Sequence, residues 1–190
     1  DGDISLASVG PLTNIAMALR IEPKIVGKIK EMVIMGGGHT GANASAAAEF
    51  NFYADPEAAK IVMDSPIPKV ILPLDATWRA CITEEQNKEL HDLGTPEAIF
   101  ASTMVQKRID NLKVNDVSEH NFQLRHTPGT VASALLYRYD NDRAPIHDAL
   151  AIAYLIDPTV ITELADANVD IDTYGGPCDG RMVADFHNTK

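Results

Sequence analysis

The run Met32-Val33-Ile34-Met35, leading straight into Gly36-Gly37-Gly38, constrains this chain more than any other stretch. Four consecutive apolar residues are too few for a buried helix. Their lack of alternation predicts a strand covered on both faces, as in a parallel sheet. The three glycines behind it predict a loop where only backbone is tolerated. Such a strand needs parallel neighbours reached through crossovers, and the flanking sequence supplies them. Ile4 to Val9 reads as a short strand that stops at Gly10-Pro11, where a helix opens with Leu12, Ile15, Ala16 and Leu19 at helical spacing. Pro23 starts a second short helix through Lys30, and Lys69 to Leu74 reads as the next strand, ending at Asp75-Ala76-Thr77. Strand, helix, strand, helix, strand predicts an α/β fold: an open, mostly parallel sheet with helices on both faces.

Beyond that core, Thr83 to Leu93 and Pro96 to Leu112 read as helices, Lys113 to Thr127 as polar and irregular, and Pro128 to Tyr139 as helical. Pro145 leads Ile146-His147-Asp148 into a helix with Ala149, Ile152, Ala153 and Ile156 on one face, ended by Asp157-Pro158. Val169 to Thr173 and Arg181 to Phe186, joined through Gly175-Gly176-Pro177, predict a C-terminal β-hairpin. With 190 residues and no linker or repeat, residues 1–190 are expected to form one domain. A net charge of -11 excludes a nucleic-acid backbone or an anionic membrane as a natural partner. No apolar run approaches the roughly 20 residues of a membrane span. Cys81 and Cys178 are far apart with no CxxC spacing, which gives no thiolate zinc site and fits a reducing cytosol, so a cytoplasmic location is expected.

Two groups of residues can carry chemistry. In Ala48-Glu49-Phe50-Asn51, an extended backbone would aim Glu49 and Asn51 to the same side. Behind them Asp55 reads as an N-cap, Pro56 as the first helical residue and Glu57 as a first-turn acid, a rigid anchor for a hydroxyl-binding pair. The alternative is that Glu49 and Asn51 only satisfy loop backbone. The second group is His147-Asp148. A helix start favours an ionised Asp148, a hard-cation ligand, with His147 placed to exchange a proton with the same ligand. The alternative there is a plain helix cap beside a locally bonded histidine. Ligands in such sheets bind beyond the carboxyl ends of the strands, which gathers Val9, Gly36 to Asn43 and Asp75 to Thr77 on one rim within reach of His147-Asp148. A phosphate cradle at Gly36 to Gly38 lacks both Gly-Lys-Ser/Thr and GxGxxG. Trp78 and Tyr53 read as packing residues. Asp75 and Thr77 either line the site or satisfy the turn.

As an ordered set these motifs resemble the calcium-dependent inosine-uridine-type nucleoside hydrolases. The matching residues are Gly10-Pro11-Leu12-Thr13-Asn14-Ile15-Ala16, Met35-Gly36-Gly37-Gly38, Ala48-Glu49-Phe50-Asn51 with Asp55-Pro56-Glu57-Ala58-Ala59, Pro73-Leu74-Asp75-Ala76-Thr77, His147-Asp148-Ala149 and Gly180-Arg181-Met182-Val183-Ala184-Asp185. The resemblance covers nearly the whole chain and is weakest between Glu84 and Arg143. It implies a Rossmann-like fold and hydrolysis of the N-glycosidic bond of ribonucleosides. It further implies a Ca2+ site that includes the Val9 backbone carbonyl and Asp148, and a ribose grip from Asn43, Glu49 and Asn51 with Met35 and Phe50 beside the sugar. His147 matches the proton donor to the leaving base in broad-specificity and pyrimidine-preferring members. A homo-oligomer, dimer or tetramer, is implied as well.

One hallmark is absent. The family's N-terminal cluster Asp-x-Asp-x-Gly-x-Asp-Asp, which supplies the general base and the other calcium carboxylates, has no counterpart here, and Asp1-Gly2-Asp3 precedes a different strand. The expectation is therefore a C-terminal portion of such an enzyme, a partial domain that starts roughly one hundred residues in and lacks its first strands. The alternative is a non-catalytic ribose- or nucleoside-binding module that keeps the sugar grip and has lost the aspartates. Tyr137 and Tyr139 either line a base pocket or belong to an ordinary helix face.

Overall fold

The computed structural model describes residues 2–114, 143–187 and 189. The helix expected over Pro128 to Tyr139, with Tyr137 and Tyr139, lies outside the described residues.

Three strands, β1 (Ile4–Ser8), β2 (Ile29–Met35) and β3 (Lys69–Leu72), form a parallel sheet in the order β1-β2-β3. The register pairs Ser8 with Ile34 and Met35 with Leu72, so the carboxyl ends of all three strands share one edge. The predicted strand at Met32 is longer toward its amino end, and its side chains divide as a pleat requires. Met32 and Ile34 enter a core with Leu12, which precedes α1 (Thr13–Ile21), with Ala16 and Leu19 of that helix, and with Ala58, Ala59 and Val62 of α3 (Pro56–Met63). Val33 and Met35 point the other way, into a cluster with Leu72, Leu74, Leu150 and Ala151. Helices therefore cover both faces of β2, which is why its sequence is apolar without alternation.

The helix anchored at Asp55 forms as its cap chemistry dictates. Asp55 Oδ1 accepts from Ala58 N–H at 3.0 Å, Pro56 is the first helical residue and Glu57 sits in the first turn. A cap of this kind stabilises a helix by about 1 kcal/mol. The other carboxylate oxygen accepts from the Thr13 hydroxyl and so ties α3 to α1.

Three local readings are corrected. Residues Phe50–Tyr53 form a four-residue helix, α2, instead of continuing an extended segment, because the Glu49 side chain caps it by accepting from Phe52 N–H at 3.3 Å. The strand expected to run to Leu74 stops at Leu72, since Pro73 has no N–H for the ladder, and Leu74–Thr77 winds into a short helix, α4. The short helix from Pro23 is a 3₁₀ turn, Pro23–Lys28.

The chain divides into two compact units, Asp1–Ala80 with Ile146–Lys190, and Cys81–Pro145. The second unit pairs β4 (Cys81–Thr83) with β5 (Arg143–Pro145), an antiparallel contact with no sequence signal across sixty residues. It also holds α5 (Glu84–Asp92), opened by a Thr83/Gln86 capping box, and α6 (Pro96–Val114). In the first unit α7 (His147–Ile156) packs on β1, β2 and α4, and β6 (Asn168–Ile171) pairs with β7 (Met182–Asp185) as the expected hairpin. Among the described residues no helix is long and apolar enough to cross a membrane.

Candidate functional site

The carboxyl edge of the sheet is where the sequence-predicted residues meet. Met35 ends β2, and its carbonyl accepts from Asn51 Nδ2 at 3.0 Å, while its sulfur lies 3.4 Å from the same nitrogen. Glu49, only 2% exposed, accepts from Gly37 N–H at 2.8 Å in addition to capping α2. Asn43 Oδ1 accepts from Phe50 N–H at 2.9 Å, which closes the loop 43–48 over the start of α2. Met35, Asn43, Glu49, Phe50 and Asn51 thus form one connected group. Glu49 and Asn51 both bond to backbone at the end of β2 and the start of α2, as the loop-backbone alternative expects, and a capped helical turn places them there in place of a strand.

The glycines make that convergence possible. A Cβ on Gly36 would lie 2.6 Å from the ring of Phe52, which is fully buried beneath the loop. Gly37 adopts φ 71°, a left-handed conformation that turns its N–H toward Glu49. Their role is a close approach of backbone to an aromatic ring and a carboxylate, and the phosphate reading finds no support.

Burial pushes Glu49 above the ordinary carboxylate range. The N–H groups of Asn51, Gly37 and Phe52 pull it down without cancelling the rise, and the carboxylate of Asp148 adds to it. Asp148, the second residue of α7, is thus close enough to Glu49 for the two carboxylates to repel. Burial acts upward on Asp75 as well, but the Thr40 hydroxyl and the N–H groups of Thr40 and His39 outweigh it and hold Asp75 low. With distances of 2.7 Å from His39 N and 2.9 Å from Thr40 N, Asp75 serves as the clamp of the glycine-rich loop.

His147 begins α7 with its Nδ1 2.7 Å from the hydroxyl of Thr77, the last residue of α4. The two are seventy positions apart, and no spacing rule would pair them. Val9 follows β1 directly, so the sheet register brings it beside Met35 at the same edge. Phe50 is 57% exposed and presents an apolar face to solvent next to this group.

Among the described residues no group of three or more His, Cys, Asp or Glu side chains could hold a metal ion. One carboxylate, Asp148, and one carbonyl, Val9, fall short of the six to eight oxygens that calcium takes. These residues alone do not make a complete calcium site.

A cavity of about 520 Å³ lies in the second unit between α5 and α6. Its inner wall includes Asn87, whose Nδ2 donates to Ser102 O and Gln106 Oε1, while its Oδ1 is sealed from solvent without a partner. A ligand in the cavity would not reach that oxygen.

The model of the inosine-uridine preferring nucleoside hydrolase family matches residues 1–190. The pyrimidine-specific ribonucleoside hydrolase RihB of Shigella flexneri serotype 5b is 37% identical over 185 residues, which is 97% of this chain and 51% of that protein. RihB of Escherichia coli O17:K52:H18 matches to the same extent. Among solved structures, a purine-preferring ribonucleoside hydrolase from Gardnerella vaginalis superposes with a TM-score of 0.77 at 30% identity, over 100% of this chain and 52% of that one. The chain therefore spans about half the length of each of these relatives. The match over all 190 residues, on the fold and motifs described above, shows that the chain belongs to the inosine-uridine preferring nucleoside hydrolase family.

Proposed function

We propose that the protein takes part in hydrolysis of the N-glycosidic bond of ribonucleosides, with this chain supplying the sugar grip and the acid. The observation that supports the reading is the gathering of Met35, Asn43, Glu49 and Asn51 at the carboxyl edge of the sheet, with Asn51 bonded to the Met35 carbonyl, Glu49 to Gly37 N–H and Asn43 to Phe50 N–H. The Glu49 carboxylate, the Asn51 carboxamide oxygen and the Asn43 carboxamide nitrogen offer acceptors and a donor for ribose hydroxyls. Phe50 and Met35 supply apolar contact to the sugar.

Cleavage breaks the C1′–N bond, whose electron pair leaves with the base, and a water oxygen bonds to C1′ as its proton passes to a general base that the described residues do not supply. Positive charge develops on the sugar as the bond stretches, and the buried Glu49 carboxylate favours that charge. His147 protonates the departing base nitrogen. Asp148 and the Val9 carbonyl are proposed as part of a calcium site whose remaining oxygens the described residues do not supply. The proposal treats residues 1–190 as one portion of a nucleoside-hydrolase domain.

The decisive measurement is release of free base from uridine, inosine and cytidine by the protein with added calcium. Release of base and ribose from any of them, lost in Glu49→Ala, is the expected result where residues 1–190 stand within a complete nucleoside-hydrolase domain; residues 1–190 alone, with part of a metal site and no general base, are expected to release none. Saturable nucleoside binding with no base released would turn the reading toward a ribose-binding module. Calorimetry checks the metal assignment separately: Asp148→Ala is expected to weaken calcium affinity by about tenfold or more, since a ligating carboxylate is lost. An unchanged isotherm would remove Asp148 as a ligand.

A further inference from the structure

Thr77 is completely buried, with no exposed surface, yet it is a polar residue at the end of a four-residue helix. A buried hydroxyl needs a partner, and the structure gives it Nδ1 of His147 at 2.7 Å. The segment on which Thr77 sits is itself fixed. Thr77 N–H donates to Pro73 O at 3.0 Å, and Leu74 N–H donates to Gly37 O at 3.0 Å, which ties α4 to the glycine loop. Three residues on, Ala80 O accepts from Ile146 N–H at 2.9 Å. The turn 77–80 therefore grips the start of α7 twice, once through the backbone before His147 and once through its ring.

We infer that Thr77 is the positioning residue for His147, holding the imidazole by Nδ1 so that Nε2 is the nitrogen presented to the substrate. This deepens the proposed function and rests on its assignment of His147 as the acid. A hydroxyl suits the task because it can donate or accept. When His147 carries both protons, Nδ1–H donates to Thr77 Oγ1. As the base departs, the Nε2 proton moves to the base nitrogen, and the ring remains as the neutral Nδ1–H tautomer with the bond to Thr77 intact. A carboxylate in the same place would hold the proton more tightly, whereas an aliphatic group would leave Nδ1–H buried and unpaired.

The test compares Thr77→Val, which keeps shape and removes the hydroxyl, with Thr77→Ser, which keeps the hydroxyl. Thr77→Val is expected to lower kcat for uridine by about tenfold with KM within about twofold, the signature of a contact that matters in the transition state. The rate on p-nitrophenyl riboside, whose leaving group needs no proton, should be nearly unchanged, and Thr77→Ser should restore most of the uridine rate. Imidazole 15N shifts give a readout independent of activity: His147 should be the Nδ1–H tautomer in the parent and in Thr77→Ser, and should lose that preference in Thr77→Val. Equal losses on both substrates, or 15N shifts that Thr77→Val leaves in place, would overturn the inference. If His147→Ala has no effect on uridine while the 15N signature behaves as expected, the acid assignment fails and the Thr77–His147 pairing stands.

Discussion

Replacing His147 by alanine is expected to slow uridine hydrolysis by about 10²- to 10⁴-fold, the usual contribution of a positioned general acid. The same substitution should leave p-nitrophenyl riboside hydrolysis within about tenfold of the parent, because nitrophenolate departs without a proton. The contrast follows from where charge must go. A uracil anion leaving unassisted keeps the bonding pair on nitrogen, and protonation by His147 removes that cost. The residue is well placed for the role, on the first turn of α7, half-buried, with its ring held from Thr77. Steady-state rates on the two substrates decide the matter. Parallel losses would mean that His147 shapes the pocket without donating a proton.

How much of this was legible beforehand depends on the range of each interaction. The parallel sheet could be read because Met32 to Met35 and the helix signals around Asp55-Pro56-Glu57 are local, and local patterns survive in sequence. The same holds for the hairpin between Asn168–Ile171 and Met182–Asp185. Pairing across long separations could not be read. β4 meets β5, and Thr77 meets His147, through tertiary placement, and neither leaves a periodic trace. Glu49 and Asn51 fall between these cases: the sequence marks a polar pair before a helix, but the backbone that carries them is a helical turn and not an extended segment. A strand and a capped turn differ there only by whether the Glu49 carboxylate folds back onto Phe52 N–H. Gly37 could be read only as a position that excludes a side chain; its N–H as a donor to Glu49 required the fold.

Glu49→Gln is expected to stabilise the fold at neutral pH while disabling it as a catalyst. Burial raises the Glu49 pKa, chiefly by desolvation, with the neighbouring Asp148 adding to it. Between the ordinary glutamate pKa and the raised one, the folded state holds more protons than the unfolded state. Stability therefore falls as pH rises through that window, and above it the charged Glu49 stands as a net cost. Glutamine removes the charge and keeps an acceptor for Gly37 and Phe52 N–H, so each kcal/mol recovered should raise Tm by about 2–4 °C. In chelator at pH 7 the variant should melt above the parent. Well below the ordinary glutamate pKa, where Glu49 is protonated in both states, the two curves should converge. Activity should move the other way. A charge-assisted hydrogen bond to a sugar hydroxyl is worth about 1.5–3 kcal/mol, so kcat/KM should drop on the order of 10- to 100-fold. A Glu49→Gln protein that melts below the parent at pH 7 would show that the N–H groups of Gly37, Asn51 and Phe52 outweigh desolvation. Full activity in the same variant would mean that the buried carboxylate serves the loop and not the ribose. A stability gain paired with an activity loss is the outcome expected of a charge retained at an energetic cost because the ligand needs it.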